Sequence, residues 1–338
     1  MSSPATASVE SSSSPAKIVF PHQHVIDSSH LSAQDIWAVM ENARTFAEIL
    51  KRPIKKVPTL RGKVVVTMFY ENSTRTRTSF ELAAKYLSAD TLNFSVSTSS
   101  VKKGETIQDT IDTLLAMGAD ALVLRHGSSG ICQQMAKLVG KRLSILNAGD
   151  GFHDHPSQGL LDLFTMLQAV GDVRGKKIVI VGDLLHSRVA RSNLHILNTI
   201  GLDVHVCAPP TLIPSGLTEL RQNDLPACTV HHSIETALQD ADIVMALRLQ
   251  LERQQSGLLA SLGEYAQFYG ITRERLKRFC KPNVVVMHPG PMNRGVEIAS
   301  DVADDTSLSL ISRQVQSGVA VRMALLYLLL GKTPVQDE

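Results

Sequence analysis

The chain has 338 residues, with 34 Lys and Arg against 32 Asp and Glu and a formal net charge of +2, so no excess of either sign points to nucleic acid or to a charged surface, and any anion site must be local. Hydrophobic residues make up 43% and charged residues 20%, the balance of a soluble globular protein; the length suggests about two domains at roughly 100–200 residues each. No apolar run reaches the roughly 18–20 residues of a membrane helix, and VRMALLYLLLG near the end is too short, so no membrane partner is expected.

Residues 1–16, MSSPATASVESSSSPA, are rich in Ser, Ala and Pro and cannot bury a core; they read as a disordered tail. A transit peptide would be rich in arginine, and this stretch has none and carries Glu10. The segment SAQDIWAVMENARTFAEIL then spaces Ile36, Val39, Met40, Ala43, Ala47 and Leu50 as one helix face, with Ser32 and Asp35 as its start signal. KVVVTMFY (63–70) reads as a buried strand and the helix after it carries Phe80, Ala83, Ala84 and Leu87, with Thr78-x-x-Glu81 fitting a capping box. Strand and helix alternate onward through DTLNFSV, TIQDTIDTLLAMG, ADALVLR, ICQQMAKLVG, LSILNAG and QGLLDLFTMLQAVG. A second series starts at GKKIVIVGD (175–183), continues with a helix from about Val189, LDVHVCAP, SIETALQDA, DIVMAL and NVVVMHPGP, and ends in a helix over about 307–330. Near-continuous apolar strands alternating with helices predict parallel sheets covered on both faces. Two such series, changing over near 150–175, predict an α/β fold of two doubly wound domains.

Four cysteines (Cys132, Cys207, Cys228, Cys280) are scattered without CxxC or metal-ligand spacing, which favours a reducing, cytoplasmic setting. Polar loops at the ends of the predicted strands carry the chemistry. Ser73-Thr74-Arg75-Thr76 lies where a strand ends and a helix begins, and free N–H groups, hydroxyls and a guanidinium there suit a phosphate; the P-loop pattern is absent. VGDLLHSR lacks the GxGxxG fingerprint, which argues against a nicotinamide or flavin cofactor, and it places Arg188 at a strand-to-helix loop. In NAGDGFHDHPSQ, His153 and His155 form an HxH without a third metal ligand, and His155 and Gln158 sit about a turn apart at a helix start. Arg125 ends ALVLR, Arg248 and Gln250 follow DIVMAL, Pro289-Gly290-Pro291 follows NVVVMH, and Ser99, Lys102 and Lys103 share a glycine-containing loop. At least four arginines thus fall on the carboxyl edges of parallel strands, and an edge so cationic needs anionic ligands.

Taken together and in this order, STRTRTSFE, SSVKKGET, VLRHG, NAGDG with HPSQGLLDLFT, VGDLLHSRVARSN, ALRLQLER and MHPGPMNRGVEI resemble the transcarbamoylase family over residues 20–332. Ornithine enzymes of the family share STRTR and HPxQ. They typically carry HCLP where this chain has His288-Pro-Gly-Pro291, and an SMG-type loop where it has Arg248-Leu-Gln250. An arginine there suits a second carboxylate, so the resemblance is to the aspartate-specific branch; another amine acceptor such as ornithine is the alternative.

The resemblance implies carbamoyl transfer from carbamoyl phosphate to L-aspartate, an early step of pyrimidine (UMP) synthesis, in an interdomain cleft and without a cofactor or metal. It implies that residues 17–156 bind carbamoyl phosphate and 157–306 bind aspartate, with 307–332 a helix packing back on the first domain. Ser73, Thr74, Arg75 and Thr76 would hold the phosphate, and Thr76, Arg125 and His155 would donate to the carbonyl oxygen. Gln158 and the backbone around Pro289 and Gly290 would hold the carbamoyl NH2, with Pro291 shaping the turn. Arg188 and Arg248 would grip the aspartate carboxylates, with Gln250 positioning Arg248. Ser99 and Lys103 would be lent to a neighbour's site, Lys103 also meeting aspartate, which implies a homotrimer; regulatory chains or other pyrimidine-pathway enzymes are candidate further partners. The residues suit a reaction with no protein nucleophile, driven by holding two anions together and stabilising an oxyanion.

Overall fold

The computed structural model describes residues 20–95, 106–217, 226–250 and 257–331. The Ser-rich stretch 1–16 and the expected site residues Ser99 and Lys103 lie outside them. The first half of the chain runs α1 (Ala33–Leu50), β1 (Val64–Phe69), α2 (Thr74–Tyr86), β2 (Asp90–Ser95), α3 (Ile107–Ala116), β3 (Ala121–His126), α4 (Ile131–Val139) and β4 (Ser144–Asp150). After α5 (Pro156–Val170) come β5 (Lys177–Val181), α6 (Arg188–Ile200), β6 (Asp203–Cys207), β7 (Thr229–His231), α7 (Ile234–Leu238) and β8 (Ile243–Ala246). The chain ends with α8 (Leu262–Tyr269), α9 (Arg273–Phe279), β9 (Val285–Met287), α10 (Ser300–Ala303) and α11 (Ile311–Leu330).

The strands form two sheets, β2-β1-β3-β4 and β7-β6-β5-β8-β9, and each adjacent pair is parallel. The α/β, doubly wound organisation expected from the sequence is therefore present. In each sheet the chain first winds one way and then returns to the other side of its first strand. The reversal falls between β1 and β3 in one sheet and between β5 and β8 in the other, the place where such sheets bind ligands beyond their carboxyl ends.

Local chemistry explains most boundaries. Ser32 caps α1 in a capping box with Asp35, as its spacing predicts. The second predicted box is not used: α2 begins at Thr74 with Ser73 as its cap, and Thr78 lies inside the helix. Because β1 runs almost directly into that turn, the N–H groups without a backbone partner in the helix fall at residues 73–76 rather than a turn later. β7, α8, α9 and α10 are short, three to eight residues, and their periodicity is too brief to read from sequence.

The long α11 packs against α1, α2 and α5, and α5 in turn packs against α6. Tyr327 meets Phe46 edge-on at 5.8 Å between ring centres. Along α11, Ala320, Val321, Met323, Ala324, Leu325 and Leu326 are almost fully buried. Among the described residues no helix is long and apolar enough to cross a membrane. Leu325→Ala removes a fully buried side chain and is expected to destabilise the chain by about 2–5 kcal/mol, read as a lower urea midpoint.

Candidate active site

The carboxyl edges of the two sheets face one cleft of about 710 Å³. Every described residue of the expected set lines it. Ser73, Thr74, Arg75 and Thr76 come from the β1–α2 turn, and Arg125 from the end of β3. His155 and Gln158 stand at the start of α5, Arg188 at the start of α6, and Arg248 and Gln250 just past β8. Pro289, Gly290 and Pro291 follow β9. Both topological switch points thus open into the same space.

The Ser73 side chain accepts from the Thr76 N–H, so the first turn of α2 is fixed with its amino end toward the cleft. Arg75 crosses toward the β9 loop. Gly290 has φ +61°, and a Cβ there would lie 2.8 Å from the Arg75 guanidinium, so glycine is required both for the turn and for the approach. The same loop is braced from behind: the Gly290 N–H donates to His288 Nδ1 at 2.8 Å, and His288 Nε2 meets Glu297 at 3.2 Å. The Gly290–Pro291 peptide is cis. Gln250 donates its side-chain N–H to the His186 carbonyl at 3.0 Å, tying the β8 loop to the β5–α6 loop that carries Arg188.

Cationic charge dominates the cleft. Burial and then the Arg248 charge lower the pKa of Arg75 from its ordinary value. Two residues absent from the sequence expectation shape this field. Glu71, two residues past β1, pairs with Arg188 at 2.7 Å and with Arg125 at 3.5 Å, so one carboxylate joins the two sheets' arginines. Arg322, from α11, is a fifth guanidinium on the wall and lies 5.0 Å over the Phe80 ring. Burial, opposed by Asp162, brings its pKa down to about 10. A lone arginine inside the apolar run VAVRMALL was the available signal, since a buried charge needs a role or a partner. Glu71 had a weaker one, an acid directly beside a cationic motif.

His155 is buried, and its Nδ1 has no hydrogen-bond partner among the described residues. Burial, followed by the charges of Arg322, Arg125 and Arg188, pushes its pKa well below the ordinary histidine value, so it stands as a neutral ring. His153 behaves oppositely although only two residues away. Its ring bridges Asp150 at 3.0 Å and Asp27 at 3.0 Å, and these bonds raise its pKa to about 10. The HxH pair therefore divides between an ion-paired brace and a neutral site residue. No group of three or more His, Cys, Asp or Glu suited to a metal occurs among the described residues.

Residues 23–168 match the family model described as aspartate/ornithine carbamoyltransferase, carbamoyl-P binding domain. Residues 174–329 match its companion, the Asp/Orn binding domain. The chain belongs to the aspartate/ornithine carbamoyltransferase family. Within this family it is 53% identical over 328 residues to the aspartate carbamoyltransferase catalytic subunit of Acaryochloris marina, covering 94% of this chain and 99% of that one. It is 56% identical over 326 residues to the catalytic subunit of Trichormus variabilis, with 92% and 97% covered. Among solved structures, aspartate transcarbamoylase from Trypanosoma cruzi in complex with N-(phosphonacetyl)-L-aspartic acid superposes with a TM-score of 0.81 at 32% identity, covering 91% of this chain and 95% of that one. The catalytic subunit of M. jannaschii aspartate transcarbamoylase gives 0.77 at 34% identity, with 91% and 98% covered.

The His153 brace has a definite pH signature. A histidine whose folded pKa lies above its unfolded value adds stability that is complete below about pH 6.5 and is lost as pH rises through the folded value. The difference in urea midpoint between the wild type and His153→Gln is expected to be largest near pH 6 and to shrink toward pH 10.

Proposed function

We propose that the chain is an aspartate carbamoyltransferase, transferring the carbamoyl group of carbamoyl phosphate to the amine of L-aspartate. The observation that carries this reading is the convergence of Arg75 and Arg125 from one switch point with Arg188 and Arg248 from the other on one cleft. Two anions of different shape, held end to end, account for that arrangement.

In this reading the first turn of α2, with Ser73, Thr74, Arg75 and Thr76, takes the phosphate, where N–H groups and the helix dipole favour negative charge. Thr76, Arg125 and neutral His155 donate to the carbonyl oxygen. Gln158 and the carbonyls of Pro289 and Gly290 accept from the carbamoyl NH2, and Pro291 holds the turn. Arg188 and Arg248 take the carboxylates of aspartate, with Gln250 fixing the loop that carries Arg248. The neutral amine attacks the carbamoyl carbon, a C–N bond forms and an oxyanion develops under the three donors; as the oxyanion returns to a carbonyl the C–O bond to phosphate breaks, and the proton shed by the attacking nitrogen leaves on the phosphate. Orientation and oxyanion stabilisation supply the rate. Residues 17–156 are assigned to carbamoyl phosphate and 157–306 to aspartate. The α11 segment (307–332) is assigned as a clasp on the first domain, and the contacts of α11 with α1 and α2 support this. Ser99 and Lys103 are assigned to a neighbour's site in a cytoplasmic homotrimer serving pyrimidine synthesis.

The test is to incubate the purified chain with carbamoyl phosphate and either L-aspartate or L-ornithine, following phosphate release and the carbamoylated product. Turnover with aspartate alone is expected; turnover with ornithine, or with neither, overturns the reading. Arg125→Ala is expected to lower kcat by about 10²–10³, the usual loss of one oxyanion donor. Arg248→Ala is expected to raise the KM for aspartate by at least about tenfold while carbamoyl phosphate binding holds, as loss of one charged contact implies.

A further inference from the structure

Beneath the cleft lies one carboxylate that the reaction itself does not use. Asp162, on α5, is fully buried. Its Oδ1 accepts from Gln158 Nε2 at 2.9 Å and from Gln314 Nε2 at 2.8 Å, and its Oδ2 accepts from Asn193 Nδ2 at 2.9 Å. Gln314, on α11, uses its other end as well: its Oε1 accepts from the His288 N–H at 2.9 Å. His288 Nδ1 then accepts from the Gly290 N–H. One carboxylate therefore reaches, by one bond or by a short chain of bonds, the Gln158 side chain and the backbone of the β9 loop.

The direction of these bonds matters more than their number. An amide side chain can present either its N–H2 or its oxygen, and an isolated glutamine does not choose. A carboxylate only accepts, so Asp162 takes the N–H2 end of Gln158 and leaves the Gln158 oxygen for another donor. The same logic runs through Gln314. Its N–H2 is claimed by Asp162, so its oxygen receives the His288 N–H, which fixes the Met287–His288 peptide at the entry to the Pro289–Gly290 turn. Burial raises the Asp162 pKa to about 6, against the pull of Asn193, Gln314, Gln158 and the Arg322 charge, so the group is mainly ionised at neutral pH. Both oxygens of the buried carboxylate are satisfied, and bonds to a buried charge hold their donors firmly.

We propose that Asp162 is a positioning residue that selects the carbamoyl group: it orients Gln158 and, through Gln314, the Pro289–Gly290 backbone so that the cleft presents hydrogen-bond acceptors, and no donor, to the NH2 of the ligand. This inference rests on the proposed function for the identity of that ligand. It adds that the preference for an NH2 over an isosteric methyl is set from behind the cleft. Leucine at position 162 is nearly the same shape but accepts no hydrogen bond. The N–H2 groups of both glutamines then lose the oxygen that fixes them, and each is free to turn an N–H toward the ligand's N–H. A site built of acceptors rejects an analogue that lacks the donor, and it loses that discrimination when an acceptor is turned away.

Direct binding tests this without aspartate. Carbamoyl phosphate, acetyl phosphate (a methyl in place of NH2) and inorganic phosphate are titrated calorimetrically into the full chain, its Asp162→Leu variant and its Gln314→Met variant. The wild type is expected to prefer carbamoyl over acetyl phosphate. Asp162→Leu is expected to reduce that preference by about tenfold to a hundredfold, the scale of one or two misdirected buried hydrogen bonds, with phosphate binding kept within about twofold. Gln314→Met removes the arm from Asp162 to His288 and leaves the bond from Gln158 to Asp162, so it is expected to give a smaller loss in the same direction, which keeps the test decisive if Asp162→Leu does not fold. Variants that retain the wild-type preference, or that lose all three ligands in equal proportion, overturn the role of Asp162 and leave the assigned function standing. A wild type that shows no preference overturns the acceptor cluster of the proposed function and the inference with it.

Discussion

Five guanidiniums on the walls of one cleft are the constraint to which the rest of this molecule answers. Like charges gathered in a partly desolvated space repel, and removing any one from water is costly unless it is paired or hydrogen-bonded. The fold meets this cost at the rim and behind the walls. Glu71 is shared by Arg188 and Arg125, Phe80 underlies Arg322, and Asp162 stands behind the α5–α11 seam. The centre is left positive. Anions that enter it complete the charge balance, so affinity for two anionic ligands follows from the way the cleft is assembled.

The doubly wound topology makes this assembly simple. Each switch point delivers two loops side by side, and two sheets facing each other bring both pairs together. Precision then comes from short-range fixtures: the Ser73 cap, the His288 bond to the Gly290 N–H, and the Gln250 bond to the His186 carbonyl. Two further contacts cross from one sheet's elements to the other's. Gly290 against Arg75 and Glu71 against Arg188 couple the two sides of the cleft, so the geometry at one anion's place depends on the position of the other half.

What could be read from the sequence follows the same division. Strands such as KVVVTMF and KKIVIV carry their own apolar signal, and the helices between them carry a 3.6-residue period, so sheet number and the alternation of elements were legible. The site loops were legible because Arg75, Arg125, Arg188 and Arg248 each follow a strand, and a charge there has few structural reasons to exist. The residues that were not legible serve partners far away in sequence. Glu71 pairs across 117 positions to Arg188, and Gln314 reaches Asp162 across 152. Asp162 sits in a helix stretch, LLDLFT, that by pattern alone is only a helix face. The Thr78-x-x-Glu81 pattern shows the converse, since it is complete locally yet goes unused where Ser73 already caps the helix at Thr74.

In the proposed function both ends of the cleft act on one ligand assembly at once. Calorimetric titration with N-phosphonacetyl-L-aspartate, which joins a phosphonate to an aspartate, tests it most directly when compared with phosphonoacetamide and L-aspartate titrated separately. If the arginines of both switch points engage together, the joined molecule binds tighter than either half by at least about two orders of magnitude, because the second contact becomes intramolecular. A joined molecule that binds no tighter than its phosphonate half would contradict the account.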